Sequence, residues 1–157
     1  MTVMPTLEGG LRIDADDEGD WELLRSIISD ANCCQTDLAS RLGGLMTDEA
    51  VSEDWEELIV PDLREEFQDQ LAEIGASIEA AIFNADNGPG PIWITPDDAY
   101  PWYSSLNQAR LALEEIHHFG PEDTADPLNM DPNQQLAFIR SGFYSDIQSL
   151  LLRHVMK

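Results

Sequence analysis

Residues 95–116 read TPDDAYPWYSSLNQARLALEEI and predict the principal helix of the fold. Thr95 can cap this helix, Pro96 suits its first position, and Asp98 stands where a capping-box acid would. Behind that start, apolar residues recur every three or four positions, which is the period of one helix face. This apolar stripe consists of Trp102, Leu106, Ala109, Leu113 and Ile116. Pro101 has no N–H for intrahelical bonding, so we expect a kink or a one-turn false start there.

The same spacing predicts helices on both sides of this one. The predicted N-caps are, in chain order, Asp20, then Thr36 or Asp37, then Thr47 and, for the last helix, Asp131. Pro61 suits the first position of a separate long helix. The apolar stripes of that helix and of the last one are Leu63, Phe67, Leu71, Ile74, Ile78 and Ile82, then Leu136, Ile139, Phe143, Ile147, Leu150 and Leu151.

Two short apolar stretches, Leu11–Ile13 and Ile92–Ile94, are predicted as strands. Neither is stable alone, so we expect them to pair as a minimal two-stranded β ribbon. The amphipathic helices cannot bury their stripes separately and must share one core. The sequence therefore predicts an all-α helical bundle with a two-stranded ribbon, in which residues 1–157 form a single helical domain.

The charge of the chain excludes several classes of protein. Its 31 acids and 8 bases give a net charge of −23. A surface this acidic repels nucleic-acid phosphates and anionic lipids, so we expect neither a nucleic-acid partner nor a membrane partner. No apolar run approaches the roughly 18 residues that a membrane helix needs. The two cysteines, Cys33 and Cys34, are adjacent and unsuited to a disulfide framework, which favours a cytoplasmic location.

The acids are densest from Asp48 to Glu66, where nine of them accompany a single base, Arg64. A solvated helix face that keeps the protein in solution is one interpretation. A docking surface for a basic partner and a site for divalent ions are the alternatives.

The pattern Thr95-Pro96-Asp97-Asp98-Ala99, followed by Trp102 and by Leu106-Asn107-x-Ala109-Arg110-Leu111-Ala112-Leu113, resembles an uncharacterised family. It is the mainly actinobacterial domain-of-unknown-function family numbered two thousand and seventeen. The order of the other elements is similar too, so the resemblance covers nearly the whole chain. It implies the fold and no activity. Family genes often lie beside those for an adaptor of the Clp proteolytic system and a metallopeptidase, which implies a setting in protein turnover.

A metal site is one hypothesis for the end of the principal helix. Glu114-Glu115-Ile116-His117-His118 contains two overlapping E-x-x-H pairs, and Glu and His three residues apart share a helix face, as in di-iron bundles. A complete site needs a second such helix, but the remaining histidine, His154, has no Glu three positions before it. The alternative is that His117 and His118 complement the helix dipole at the last turn.

Asn107 and Arg110 form a candidate polar pair on the principal helix, close to Trp102 and the apolar stripe. In the structural interpretation Arg110 is partly buried against a carboxylate, with Asp14, Asp17 and Glu22 as candidates, and Asn107 bonds a backbone group. In the functional interpretation the pair recognises the carboxylate or main chain of a partner.

Motifs for nucleotide binding or nucleophilic catalysis are absent from the sequence, since it has no P-loop, no G-x-G-x-x-G and no G-x-S-x-G. The sequence therefore favours a non-enzymatic interaction module or adaptor, linked to protein turnover, with a protein partner and no cofactor. The alternatives are a metal-dependent enzyme on a helical bundle and a DNA mimic whose acids imitate phosphates. A homodimer is left open.

Overall fold

The computed structural model describes residues 1–45, 48–84, 88–121 and 124–157. Within those ranges the chain is mainly helical with one small sheet, as the periodicity predicts. The strands are β1 (Thr2–Pro5), β2 (Leu11–Asp14) and β3 (Ile92–Ile94). The helices are α1 (Glu18–Ala31), α2 (Leu38–Gly43), α3 (Glu49–Asp54), α4 (Val60–Ile82), α5 (Ala99–His117) and α6 (Pro132–His154). A π-helical segment, Trp55–Ile59, joins α3 to α4, and a 3₁₀ turn, Pro127–Asn129, precedes α6.

The predicted pairing of the two short strands is confirmed. β2 and β3 are antiparallel, with Leu11 opposite Ile94, and both of these side chains are buried. The ribbon gains a third strand, because β1 pairs antiparallel with the other edge of β2. Four residues that end in proline carry too little alternation to predict a strand, so β1 depends on the partner that β2 supplies.

Aspartate side chains cap α2 and α6 at predicted places, Asp37 and Asp131, whereas Thr95 does not cap α5, which begins after Asp98. The observed N-caps include Asp17 for α1, Asp37 for α2, Asp48 for α3 and Asp131 for α6. The prediction of Asp20 as a cap is wrong, because its own N–H donates to Asp17 Oδ1 at 3.0 Å and Asp20 lies in the first turn. The predicted cap Thr47 lies outside the described residues.

Pro61 lies in the first turn of the long helix α4, close to its predicted first position, but no break separates α4 from the helical residues before it. The helical backbone runs from α3 through the π-helical segment into α4. Proline has no N–H to donate to a carbonyl one turn earlier. The wider π turn lies directly before it, where the Val60 N–H donates to the carbonyl of Trp55, five residues back.

The one-turn false start predicted at the principal helix is confirmed. Residues 96–98 form a turn, and α5 begins only at Ala99, which places Pro101 in its first turn. The carboxylate of Asp98 accepts from Thr95, both from its N–H at 3.0 Å and from its hydroxyl at 2.6 Å. These two hydrogen bonds stabilise the turn at residues 96–98, which leads directly into α5.

The sheet and the long helices share one core, in which α5 packs against α1, α4 and α6. The stripe predicted for α5 is buried except at its end, where Ile116 is exposed. The largest fully buried side chains are Trp102, Tyr144, Leu11, Ile13, Leu24, Ile27, Ile74, Ile78, Ile92, Ile94, Leu106 and Leu113. Across the described ranges, no helix combines the length and the apolarity that a membrane crossing requires.

The stripe predicted for α6 is buried in its C-terminal half, at Ile147 and Leu151, but not in its N-terminal part. Leu136 and Ile139 belong to the predicted stripe, but they are 58% and 64% exposed, so that part of the prediction is wrong. The buried residues of α6 are Ala137, Tyr144, Ile147, Gln148 and Leu151. The rotation of α6 follows the polar groups Arg140 and Tyr144, whose hydrogen-bond partner lies on α1.

That partner is Asp30, a carboxylate that is only 7% exposed. Arg140 donates to its two oxygens at 2.8 and 3.1 Å, and the hydroxyl of Tyr144 donates at 2.7 Å. The Tyr144 hydroxyl also shares a 2.6 Å hydrogen bond with Ser26. Burial raises the pKa of Tyr144, so this hydroxyl stays protonated at neutral pH and remains a donor. The Asp30 cluster, defined by these four residues, joins α1 to α6.

Replacing Asp30 by Ala should lower the free energy of unfolding by about 3 kcal/mol, because Arg140 and Tyr144 lose their acceptor. Tyr144→Phe keeps the ion pair and should cost about 1–2 kcal/mol. Urea unfolding followed by circular dichroism measures both changes. Arg25→Gln breaks a half-exposed pair with Glu79 and, as the control, should shift the midpoint less than either variant. Equal midpoints for Asp30→Ala and the wild type would contradict the role of the cluster.

Candidate interaction surfaces

A groove of about 510 Å³ lies between α5 and α6 and contains the predicted polar pair. Asn107 and Arg110 line it from α5, one helical turn apart. Small residues of α6 leave the space open; they are Ser141, Gly142 and Ser145. Trp102, which was predicted together with the pair, is 2% exposed and belongs to the core.

Arg110 connects this groove to a buried amide. Its Nη1 donates to Gln148 Oε1 at 2.6 Å, and the Gln148 amide donates to the backbone carbonyl of Tyr103 at 3.1 Å. Gln148 is 3% exposed, so its side chain depends on these two partners. Two carboxylates predicted as partners of Arg110 act elsewhere, since Asp14 accepts from Arg12 and Asp17 caps α1.

The four residues of the metal hypothesis diverge at the end of α5. Glu114 accepts from the Gly120 N–H at 3.3 Å, and Glu115 lies 3.8 Å from the guanidinium of Arg41. The His117 ring stacks on Phe119, with ring centroids 5.7 Å apart, and His118 ends the helix in the left-handed conformation, with φ 49°. In the part of the chain that the structure describes, no group of three or more His, Cys, Asp or Glu side chains could hold a metal ion.

Cys33 and Cys34 are both free thiols. Cys34 Sγ lies 3.5 Å from the carbonyl oxygen of Ala112 and accepts from Arg41 Nη1 at 3.3 Å. Partial burial, followed by the neighbouring Cys34, raises the pKa of the Cys33 thiol from 9.0 to about 11. A thiol with such a pKa is a poor nucleophile at neutral pH, because little of it is ionised.

The residues Asp48–Glu66, named here the acidic helical segment, form one continuous helical stretch from α3 into α4. All nine of its carboxylate side chains are exposed. Within the described ranges none of the nine forms an ion pair. Its single base, Arg64, donates to Asp37 Oδ2 at 2.8 Å and to the Ser40 hydroxyl at 3.2 Å, so its charge is directed toward α2. The segment therefore presents its negative charge uncompensated.

Apolar side chains lie among these acids and are exposed as well. Val51 is 47% exposed, Leu58 64% and Ile59 44%, and these three residues are named here the apolar face. No residue of α3 or of the π-helical segment is buried. The spacing of Val51, Trp55 and Ile59 is typical of a buried helix stripe, so the sequence alone did not show that this face stays open.

Trp55 attaches the acidic helical segment to the rest of the fold. Its indole N–H donates to the carbonyl of Ala39 at 3.3 Å. A Cβ atom on Gly43 would lie 2.7 Å from Trp55 Cδ1, so the close approach of the indole requires a glycine at that place in α2. These contacts fix the position of the apolar face.

The sequence model of a family described as a domain of unknown function, DUF2017, matches residues 36–155. The chain belongs to the DUF2017 family. The match includes the motif at residues 95–113, so the resemblance predicted from that motif is confirmed. It does not reach the predicted extent, because β1, β2 and α1 precede residue 36. Neither a curated protein nor a solved structure matches this family member.

Arg110→Ala should lower the free energy of unfolding by about 1–3 kcal/mol, since it removes a donor from buried Gln148 and the packing of the Arg stem. Arg110→Leu keeps the apolar stem and should cost less. Thermal and urea unfolding measure both, with Arg153→Ala on the exposed side of α6 as the matched control. An unchanged midpoint for Arg110→Ala would contradict the structural role and leave the recognition role as the prediction for this residue.

The raised pKa of Cys33 predicts slow alkylation. At about pH 8 the ionised fraction of a thiol with a pKa of about 11 is lower by about 100-fold than that of one with the ordinary value of 9.0. Iodoacetamide should therefore label Cys33 of a Cys34→Ser variant more slowly in the folded protein than in urea, by less than about 100-fold because this variant removes the neighbouring thiol that contributes to the raised pKa. The folded rate should rise with pH up to about 11. Comparable alkylation rates in the folded protein and in urea at pH 8 would show that folding does not raise the pKa of the Cys33 thiol.

Proposed function

We propose that this DUF2017 protein is a non-enzymatic protein-interaction module that binds a partner through the acidic helical segment. One observation carries the proposal: the apolar face is structured and attached by Trp55, yet nothing in the described chain buries it. Apolar side chains scattered over a surface are ordinary, but a group of them on one helix, rimmed by charge, is typical of a protein-binding surface.

The alternatives have less support from the described residues. An enzyme on a helical bundle needs converging ligands or acid–base groups, and Glu114, Glu115, His117 and His118 point to four different partners or environments. A DNA mimic presents a surface of carboxylates, whereas three large apolar side chains, Val51, Leu58 and Ile59, are exposed among the acids of the acidic helical segment. A surface that combines acids with apolar residues suits a protein partner better than either.

The setting that we propose for this partner is protein turnover, which rests on the resemblance to the family rather than on any contact. An adaptor in such a pathway must hold another protein without altering it. A preformed helical surface with exposed apolar side chains suits that task.

The double variant Leu58→Ser, Ile59→Ser should abolish partner capture and leave the stability nearly unchanged, because both side chains are exposed. Immobilised wild type and variant are compared by quantitative mass spectrometry of proteins captured from the native host. A true partner should be enriched at least about tenfold on the wild type, since losing a central apolar contact costs about 1–2 kcal/mol or more.

The matched control is Leu152→Ser, which alters a leucine that is 50% exposed on α6. It should capture the same partner as the wild type. If the double variant captures the same proteins as the wild type in the same amounts, the apolar face is not the binding surface and the proposal fails.

A further inference from the structure

Resting on the proposed function, the geometry points to one class of partner: we propose that the apolar face binds a basic amphipathic helix, with apolar residues along one side and Lys or Arg along both edges. The proposal combines three properties of the acidic helical segment. These are its unpartnered apolar face, its uncompensated charge and its satisfied backbone.

The apolar face sets the position of the partner. Val51 and Ile59 are eight residues apart, which is about two helical turns or 12 Å along the axis, and Leu58 lies beside Ile59. Trp55 lies between them and is held by its hydrogen bond to Ala39, so little ordering is needed when a partner docks. An occupant must therefore offer an apolar strip that is at least two turns long.

The charge of the segment selects the sign of the partner. Nine exposed carboxylates extend over 19 residues, or about 28 Å of helix, without an ion pair among the described residues. Lys or Arg beside the apolar strip would relieve the repulsion between these acids. A second copy of this chain would bring the same nine acids to the contact, so self-association through this face is disfavoured. Nucleic acid and anionic lipid are repelled for the same reason.

The backbone of the acidic helical segment favours a partner that binds as a helix over one that binds as an extended strand. An extended peptide gains affinity by adding to the free edge of a sheet, where N–H and C=O groups are unpaired. In the acidic helical segment the backbone is helical throughout, so these groups already bond within the chain. The partner must satisfy its own backbone, and a helix with one apolar side does so.

The test uses a synthetic amphipathic helix of about 18 Leu and Lys residues, with fluorescence anisotropy as the readout. A scrambled peptide of the same composition, which has no apolar side, is the peptide control. The full-length wild type should bind the amphipathic peptide at least about tenfold more tightly than the scrambled one. Raising the salt from about 50 to about 200 mM should weaken binding of both peptides.

Variants of the protein separate the contribution of the apolar face to binding from that of the negative charge. Leu58→Ser with Ile59→Ser should weaken binding of the amphipathic peptide at least tenfold and leave the scrambled peptide unaffected. Glu53→Gln, Glu56→Gln and Glu57→Gln together should weaken both peptides and reduce the salt dependence.

The matched charge control neutralises three exposed acids elsewhere, by Glu22→Gln, Glu73→Gln and Asp146→Asn. It should retain most of the affinity of the wild type for the amphipathic peptide. This control separates the charge of the acidic helical segment from the net charge of the whole protein.

Three outcomes would overturn the inference. The amphipathic and scrambled peptides could bind equally, which would show attraction by charge alone. The matched charge control could lose as much affinity as the triple variant in the acidic helical segment. The amphipathic peptide could also fail to bind while partner capture still depends on Leu58 and Ile59, in which case the proposed function stands and only the chemistry assigned to the partner is wrong.

Discussion

Asp30 and Arg140 lie 110 residues apart in the chain and meet through two hydrogen bonds at the contact between α1 and α6. The arrangement of α6 depends on this pair, since a buried carboxylate without its partners would cost several kcal/mol. Tyr144 and Ser26 complete the coordination of the cluster. The bonds of Arg140 and Tyr144 to Asp30 turn this part of α6 toward α1.

That rotation has consequences on the other faces of α6. Leu136 and Ile139 are turned to solvent although the sequence places them in an apolar stripe. Ser141 and Ser145 face α5 across the groove that Arg110 lines, and Gln148 is turned inward, where it accepts from Arg110. A single buried polar cluster therefore decides both the packing of the helix and the shape of the groove beside it.

The scarce bases of this chain hold its elements together. Arg140 binds Asp30 between α1 and α6, Arg25 binds Glu79 between α1 and α4, and Arg64 binds Asp37 at the start of α2. Hydrogen bonds from Arg25 lower the pKa of Glu79, so this pair stays ionised to a more acidic pH than an isolated glutamate would. Because these bases are directed to acids outside the acidic helical segment, its nine carboxylates remain available to a partner. The same ion pairs that stabilise the fold therefore leave the acidic helical segment negatively charged, as the proposed function requires.

The sequence by itself predicted the helices, the cap of α6 at Asp131 and the pairing of β2 with β3, and it narrowed the cap of α2 to Thr36 or Asp37 and the effect of Pro101 to a kink or a false start. These features depend on neighbouring residues and on strong periodicity, which act at short range. It also pointed to the family through the motif at residues 95–113. The tertiary structure alone decided that Asp30 meets Arg140, that Leu136 and Ile139 are exposed, and that the apolar face stays open beside Trp55. These outcomes could not be predicted because periodicity reports which residues share a face, whereas the face that is buried depends on partners distant in the chain.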